Sequence, residues 1–279
     1  MNEKMFNKII DWTNKEDDIR ATIMVGSLAG KNKTDNLSDF DISLFVRSSK
    51  KYISNAEWMS SIGNVLVYEP AELIYEDKKY PTRLIIFEDG LKVDFAFYSI
   101  NVLKNLTKLK KLPLDYNLGY KVLTDKDNLT TKLPKPTYQY PKSRKPNQNE
   151  FFLLVNVFFF ELYQVAKYLC RNDLWHAKLR DWLTKESLLK IIEWHEKSKH
   201  GWDYDTYCHG KKMQSWVSPK VWESLPGAFG HFEKEDGRKA LLLSANLFSV
   251  LAKSTAKNLG YIYPTETDRK MIKLIKKLH

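Results

Sequence analysis

Apolar positions alternate with polar ones in short runs through the first half of the chain and recur at helical spacing through the second. Residues 4–15 carry helical spacing, and residues 19–25 form a β-like run that ends at Gly26. Residues 40–46, 83–87 and 91–98 predict three further strands, and Glu88-Asp89-Gly90 between the last two is an Asp-Gly turn joining apolar runs, a hairpin signal. Beyond residue 149, the stretches 150–171, 174–199 and 238–258 are spaced for helices, and Pro219 suits the first turn of another, with Ser218 as its N-cap. Between the two regimes, LPKPTYQYPKSRKPNQN (133–149) is rich in proline and has no apolar period, so it reads as a linker or an exposed crossing. The pattern predicts an α+β protein. Residues 1–135 form a mixed β-sheet flanked by helices, 136–149 a linker, and 150–279 an all-helical domain.

Composition narrows the class. Cys170 and Cys208 are the only cysteines in 279 residues, which favours a reducing compartment over a disulfide-stapled secreted chain, and the expectation is a cytoplasmic protein. The charged N-terminus lacks the apolar core of a signal peptide, and the longest apolar run, 151–160, is shorter than the ~20 residues a bilayer crossing needs, so it reads as a buried helix and no membrane partner is expected. The net charge is +11, but it is unevenly placed: acids exceed bases over 54–94, and bases exceed acids over 104–145, where Asp115, Asp125 and Asp127 are the only acids. A uniformly basic nucleic-acid binder would not show that division, and a nucleoside triphosphate satisfies the excess charge as well as a nucleic acid does.

The informative stretch is IMVGSLAGKNKTDNLSDFDISLFV (23–46). A strand delivers the chain to Gly26-Ser27, a polar loop follows, and the next strand opens with Asp39-Phe40-Asp41. Side chains alternate across a strand, so Asp39 and Asp41 share a face while Phe40, Ile42, Leu44 and Val46 point to a core. Two such carboxylates repel each other unless a cation lies between them, and hard oxygen donors favour Mg²⁺. In 91–97 the same alternation puts Lys92, Asp94 and Ala96 on one face, and an Asp in so apolar a run needs a partner or a metal. Gly26 allows close backbone approach, and the Ser27 hydroxyl can meet phosphate oxygens, more so if the loop opens a helix.

Gly-Ser, then Asp-x-Asp, then a third Asp in a hairpin strand resembles the polymerase-beta-like nucleotidyltransferases. More narrowly, the chain is similar to the aminoglycoside 6-adenylyltransferases, the streptomycin-modifying family. The likeness extends beyond the motif to Ile53-Ser54-Asn55-Ala56-Glu57-Trp58, Gly63-Asn64 and Val122-Leu123-Thr124-Asp125-Lys126-Asp127. In the helical half it takes in Asn149-Glu150-Phe151, Lys167-Tyr168-Leu169-Cys170-Arg171, Gly210-Lys211, Tyr263-Pro264 and Asp268-Arg269. One departure is Leu28, where the family often has Arg after Gly-Ser; Lys31 and Lys33 are the candidate replacements.

The resemblance implies transfer of AMP from ATP to a sugar-like hydroxyl, with two Mg²⁺ ions held by Asp39, Asp41 and Asp94. It also implies nucleotide contacts from Gly26, Ser27, Lys167 and Lys211. A cationic aminoglycoside would be drawn to the acids Glu69, Glu72, Glu76, Asp77, Glu88 and Asp89, with Glu150 a further candidate. Rival readings are transfer to another small molecule such as a lincosamide, transfer to RNA or protein, and a degenerate nucleotide-binding or interaction protein. His195, His200, His209 and Cys208 lack zinc-site spacing, and there is no Gly-x-x-x-x-Gly-Lys-Ser/Thr loop.

Overall fold

The computed structural model describes residues 3–31, 35, 37–140 and 143–278; Lys33 lies outside the described residues. The chain divides into two compact units, Met1–Tyr140 and Pro141–His279. The first runs α1 (Glu3–Lys15), β1 (Ile19–Val25), β2 (Phe40–Val46), α2 (Lys50–Ser54), α3 (Glu57–Ser60), β3 (Val65–Tyr75), β4 (Lys78–Phe87), β5 (Lys92–Ser99), α4 (Ile100–Leu106), α5 (Leu114–Asn117) and β6 (Lys121–Asp125). Its six strands form one sheet in the order β3-β4-β5-β2-β1-β6. Every pairing is antiparallel except β2 with β5, which is parallel.

Strand alternation divides the unit into two apolar layers. Phe40, Ile42, Leu44, Val93, Phe95 and Phe97 face α1 and the α2–α3 segment, where Trp12, Tyr52 and Trp58 pack edge-on and stacked against them. The opposite face gives Ala21, Ile23, Phe45 and Tyr98 to a smaller cluster with Val102, Leu103 and Leu106 of α4 and Tyr116 of α5. The β4–β5 hairpin turns at Gly90, whose φ of +79° is the left-handed region that glycine enters without penalty. Lys126, one of the bases of the 104–145 tract, donates to the carbonyls of Thr13 and Glu16 and so closes the C-terminal end of α1.

The second unit holds α6 (Gln148–Cys170), α7 (Leu174–His200), α8 (Met213–Trp216), α9 (Pro219–Ala228), α10 (Lys234–Leu259) and α11 (Thr265–Lys277). Helix α6 starts in a capping box: the Asn147 side chain accepts from the Glu150 amide while the Glu150 carboxylate accepts from the Asn147 amide. Ser218 holds the N-cap position before Pro219, though its side chain makes no capping bond, and α10 begins a turn earlier than the spacing predicts because the Glu233 carboxylate accepts from the amides of Glu235 and Asp236. At 23 residues, α6 outruns its apolar core segment and is long and apolar enough by length and composition to cross a membrane. Phe151, Val155, Phe158, Phe159 and Leu162 are nevertheless buried in the helical core. Phe158 stacks on Phe248 of α10 with ring centroids 3.6 Å apart and planes 4° from parallel.

Truncating Phe248 to Ala is expected to cost about 3–5 kcal/mol. The measurement is the denaturation midpoint followed by far-ultraviolet circular dichroism, to which the helical unit contributes most; a cost below about 1 kcal/mol would remove this pair from the core.

Candidate active site

Because β2 and β5 run parallel, Asp41 and Asp94 are direct partners across the two strands, and Phe40 pairs with Val93. One step earlier along each strand stand Asp39 and Lys92. Four side chains, Asp39, Asp41, Lys92 and Asp94, therefore occupy neighbouring positions on one face of the sheet. Lys92 Nζ donates to Asp94 Oδ2 at 2.7 Å and to Asp39 Oδ2 at 3.1 Å. Asp39 is the most open of the carboxylates bound by that ammonium, with 44% of its side chain exposed against 23% for Asp94.

Asp41 and Asp94 line a cleft of about 390 Å³ on the α5 side of the sheet, together with Gly26, Glu72, Tyr98, Asp115 and Tyr116. That volume lies in the range of small-molecule sites. A separate cavity of about 430 Å³, beside Lys4, Lys8, Asn64, Glu88 and Asp89, includes none of the three predicted catalytic carboxylates. Burial, then the neighbouring Asp94, pushes the Asp41 carboxyl up to about 6. Burial pulls the Lys92 ammonium down, but its bonds to Asp94 and Asp39 outweigh that and hold it above the ordinary lysine range. Asp94 Oδ1 is buried without a hydrogen-bond partner. An orphaned carboxylate oxygen beside a carboxyl that resists ionisation is a donor set short of positive charge, which is what a divalent cation supplies. Among the described residues no three His, Cys, Asp or Glu side chains converge as a ready-made metal cage; the cation held here is the lysine.

Gly26 has a steric as well as a conformational reason to be glycine. Its φ is +73°, and a Cβ built on it would overlap Asp41 Oδ2. The bend continues through a turn in which the Ala29 amide donates to the Gly26 carbonyl, and it opens no helix among the described residues, so Ser27 has no helix N-terminus behind it. Ser27 is exposed and does not line the cleft. Leu28 and Ala29 pack against the larger apolar layer, so the family's usual basic position is here an anchor for the bend. Lys31 sits over the Tyr138 ring, 4.1 Å from its centroid.

Lys167 and Lys211 belong to the helical unit: Lys167 lies beside Gln164 Oε1, and Lys211 is exposed in a turn whose carbonyl accepts from Trp216 Nε1. Of the acids expected to attract a cationic substrate, Glu72 lines the cleft, with Lys79 as an ion-pair partner at 2.7 Å. Glu76 and Asp77 form the β3–β4 turn, both with positive φ, while Glu88 accepts from Asn64 and Asp89 from the Leu91 amide. Glu150 already has partners: its carboxylate accepts from the Asn147 amide in the α6 capping box and pairs with Arg144. Asp115 was missed because it stands among lysines in the sequence, and only the fold of α5 brings it to the cleft. Lys92 was visible in the alternation that places it on the face of Asp94.

A mixed sheet carrying an Asp-x-Asp strand beside a third in-register Asp, with a glycine bend against it, is the layout of a nucleotidyltransferase. The family model for streptomycin adenylyltransferases matches residues 1–278. An aminoglycoside 6-adenylyltransferase of Bacillus subtilis (strain 168) is 27% identical over 273 residues, covering 94% of this chain and 92% of that one. A second protein of that name, from Campylobacter jejuni, is 26% identical over 268 residues, covering 94% and 90%. A crystal structure of an aminoglycoside 6-adenyltransferase from Bacillus subtilis aligns at a TM-score of 0.48 and 23% identity, covering 100% of this chain and 98% of that one. The chain belongs to the streptomycin adenylyltransferase family, and its enzymatic class is nucleotidyltransferase.

Two outcomes follow from the geometry around Asp41. Gly26→Ala is expected to displace the Asp41 carboxylate and lower turnover at least about a hundredfold while circular dichroism stays unchanged, since a misplacement of ~1 Å suffices for that. Asp41→Asn is expected to stabilise the ligand-free protein at pH 8 and to stabilise it by clearly less at pH 4.5. A carboxyl whose pKa rises from 3.8 to about 6 on folding costs stability progressively as pH climbs through that interval, because the unfolded chain ionises first, and the cost is complete above about 6. Thermal unfolding in a metal chelator checks this, and a lower melting temperature for the variant at pH 8 contradicts it.

Proposed function

We propose that this nucleotidyltransferase transfers AMP from ATP to a hydroxyl of streptomycin or a related aminoglycoside and releases pyrophosphate. The observation that carries the proposal is the pairing of Asp41 with Asp94 across β2 and β5, in a cleft that also holds Asp115 and Glu72. A cleft with four acids repels a polyanion approaching alone and attracts a polycationic acceptor. That favours an amine-rich sugar over RNA as the second substrate.

Asp39, Asp41 and Asp94 would hold Mg²⁺. Divalent ions held there would supply positive charge to the attacking and leaving oxygens. The residues then have separate tasks. Asp94 would accept the proton of the acceptor hydroxyl as its oxygen bonds to the α-phosphorus and the bond from that phosphorus to the pyrophosphate oxygen breaks, a role supported by its unpartnered Oδ1. Gly26 keeps side-chain atoms away from Asp41, so the carboxylate can face the cleft. Asp115, on the first turn of α5, offers a carboxylate to an ammonium of the acceptor. Ser27, Lys167 and Lys211 are proposed as contacts to the triphosphate on the strength of the family pattern. Cys170 and Cys208 are both free, which supports a reducing, cytoplasmic setting.

The test is incubation of the purified protein with ATP, Mg²⁺ and, separately, streptomycin, other aminoglycosides, a lincosamide and tRNA, read by mass spectrometry for the gain of one AMP. The gain is expected on an aminoglycoside and is expected to fall at least about a thousandfold in Asp41→Asn and Asp94→Asn, as for loss of a metal ligand or base. Transfer to tRNA alone, or near-normal turnover in either variant, would overturn the proposal.

A further inference from the structure

Lys92 stands among the acids as their counter-ion. It shares a strand face with Asp94 and reaches Asp39, the residue just before β2, and its ammonium bonds both carboxylates. An isolated exposed pair of this kind would decide little, but here one cation joins two carboxylates from different strands, and about two-thirds of its own side chain is buried. The side chains at this corner are three acids and one base. With all three acids ionised, the set has a net charge equal and opposite to a single divalent ion.

We propose that Lys92 is a built-in counter-cation of this carboxylate set, whose charge limits the nucleotide-free protein to one tightly held divalent ion. The proposal rests on the metal-binding reading of Asp39, Asp41 and Asp94 given above. Lys92 engages the Oδ2 atoms of Asp39 and Asp94, so Asp39 Oδ1, Asp94 Oδ1 and the Asp41 carboxylate are the acceptors left for the ion. A second divalent ion then meets an already neutral set and a fixed ammonium at close range. It needs the negative charge of the triphosphate to accompany it. Lys92 thereby makes loading of the second ion conditional on nucleotide, through charge and without any movement of the backbone.

The experiment measures Mn²⁺ binding to the nucleotide-free protein by electron paramagnetic resonance of the free ion, for the wild type and for Lys92→Met, Lys92→Arg, Asp41→Asn and Asp94→Asn. Met keeps most of the stem volume and removes the charge; Arg keeps the charge. The wild type and Lys92→Arg are expected to bind one ion. Lys92→Met is expected to bind at least about tenfold more tightly or to take up a second ion, because removing a charge a few ångströms from the site relieves direct repulsion. Loss of a purely structural contact would instead leave binding unchanged or weaken it. Unchanged or weaker binding in Lys92→Met, alongside weakened binding in the Asp variants, would overturn the role of Lys92 alone. Equal binding by the wild type and both Asp variants would overturn the metal-binding reading and the Lys92 proposal with it. Thermal melting of each variant shows whether it is folded, and if Lys92→Met does not fold, Lys92→Gln takes its place with the same expected outcomes.

Discussion

The parallel hydrogen-bonded register between β2 and β5 is the interaction on which the rest of this structure depends. Among the described residues it is the one parallel pairing in an otherwise antiparallel sheet. A parallel pair needs a crossover, and the chain makes it through α2, α3, β3 and β4 before returning as β5. Antiparallel pairing at this place would reverse one strand and scatter the acids along opposite edges. As built, Asp41 meets Asp94, Lys92 reaches Asp39, and the charges of the site are settled by a single choice of strand direction.

The apolar layer on the far side of the sheet keeps that register. A shift of one residue would turn Phe40, Ile42, Leu44, Val93, Phe95 and Phe97 out of the core and the carboxylates into it. Packing energy on one face thus maintains an arrangement of like charges on the other that is unfavourable by itself. The raised Asp41 carboxyl and the orphaned Asp94 oxygen are the local signs of that opposition. Leu28 extends the same logic to the bend, where an apolar anchor takes the place of a basic side chain.

How far the sequence discloses this depends on whether the signal is local. Strand alternation places Asp39, Asp41, Lys92 and Asp94 on their faces without knowledge of any neighbour, and the Asp-Gly turn marks the β4–β5 hairpin. The edge strand β3 is missing from the pattern because it alternates weakly: Leu66, Val67, Tyr68, Leu73 and Ile74 are all exposed, so no buried face imprints a period of two. Helices α4 and α11 were also unread, α4 being a short piece directly continuing β5 and α11 a lysine-rich helix with few buried positions. Asp115 could not be found from spacing at all, since its place at the cleft comes from how α5 returns to the sheet. What surrounds Ser27 and Glu150 is likewise decided by turn geometry and capping bonds, which the apolar period does not report.

Lys92 and Asp39 are joined across 53 intervening steps of chain, and the strands between them must be laid down before the pair can meet. Long-range closure of this kind is entropically late in folding. A polypeptide emerging from synthesis therefore carries no partly working centre: until β5 docks beside β2, the acids are separate and the cleft has no floor. Docking of β5 beside β2 and assembly of the acidic cluster are one event.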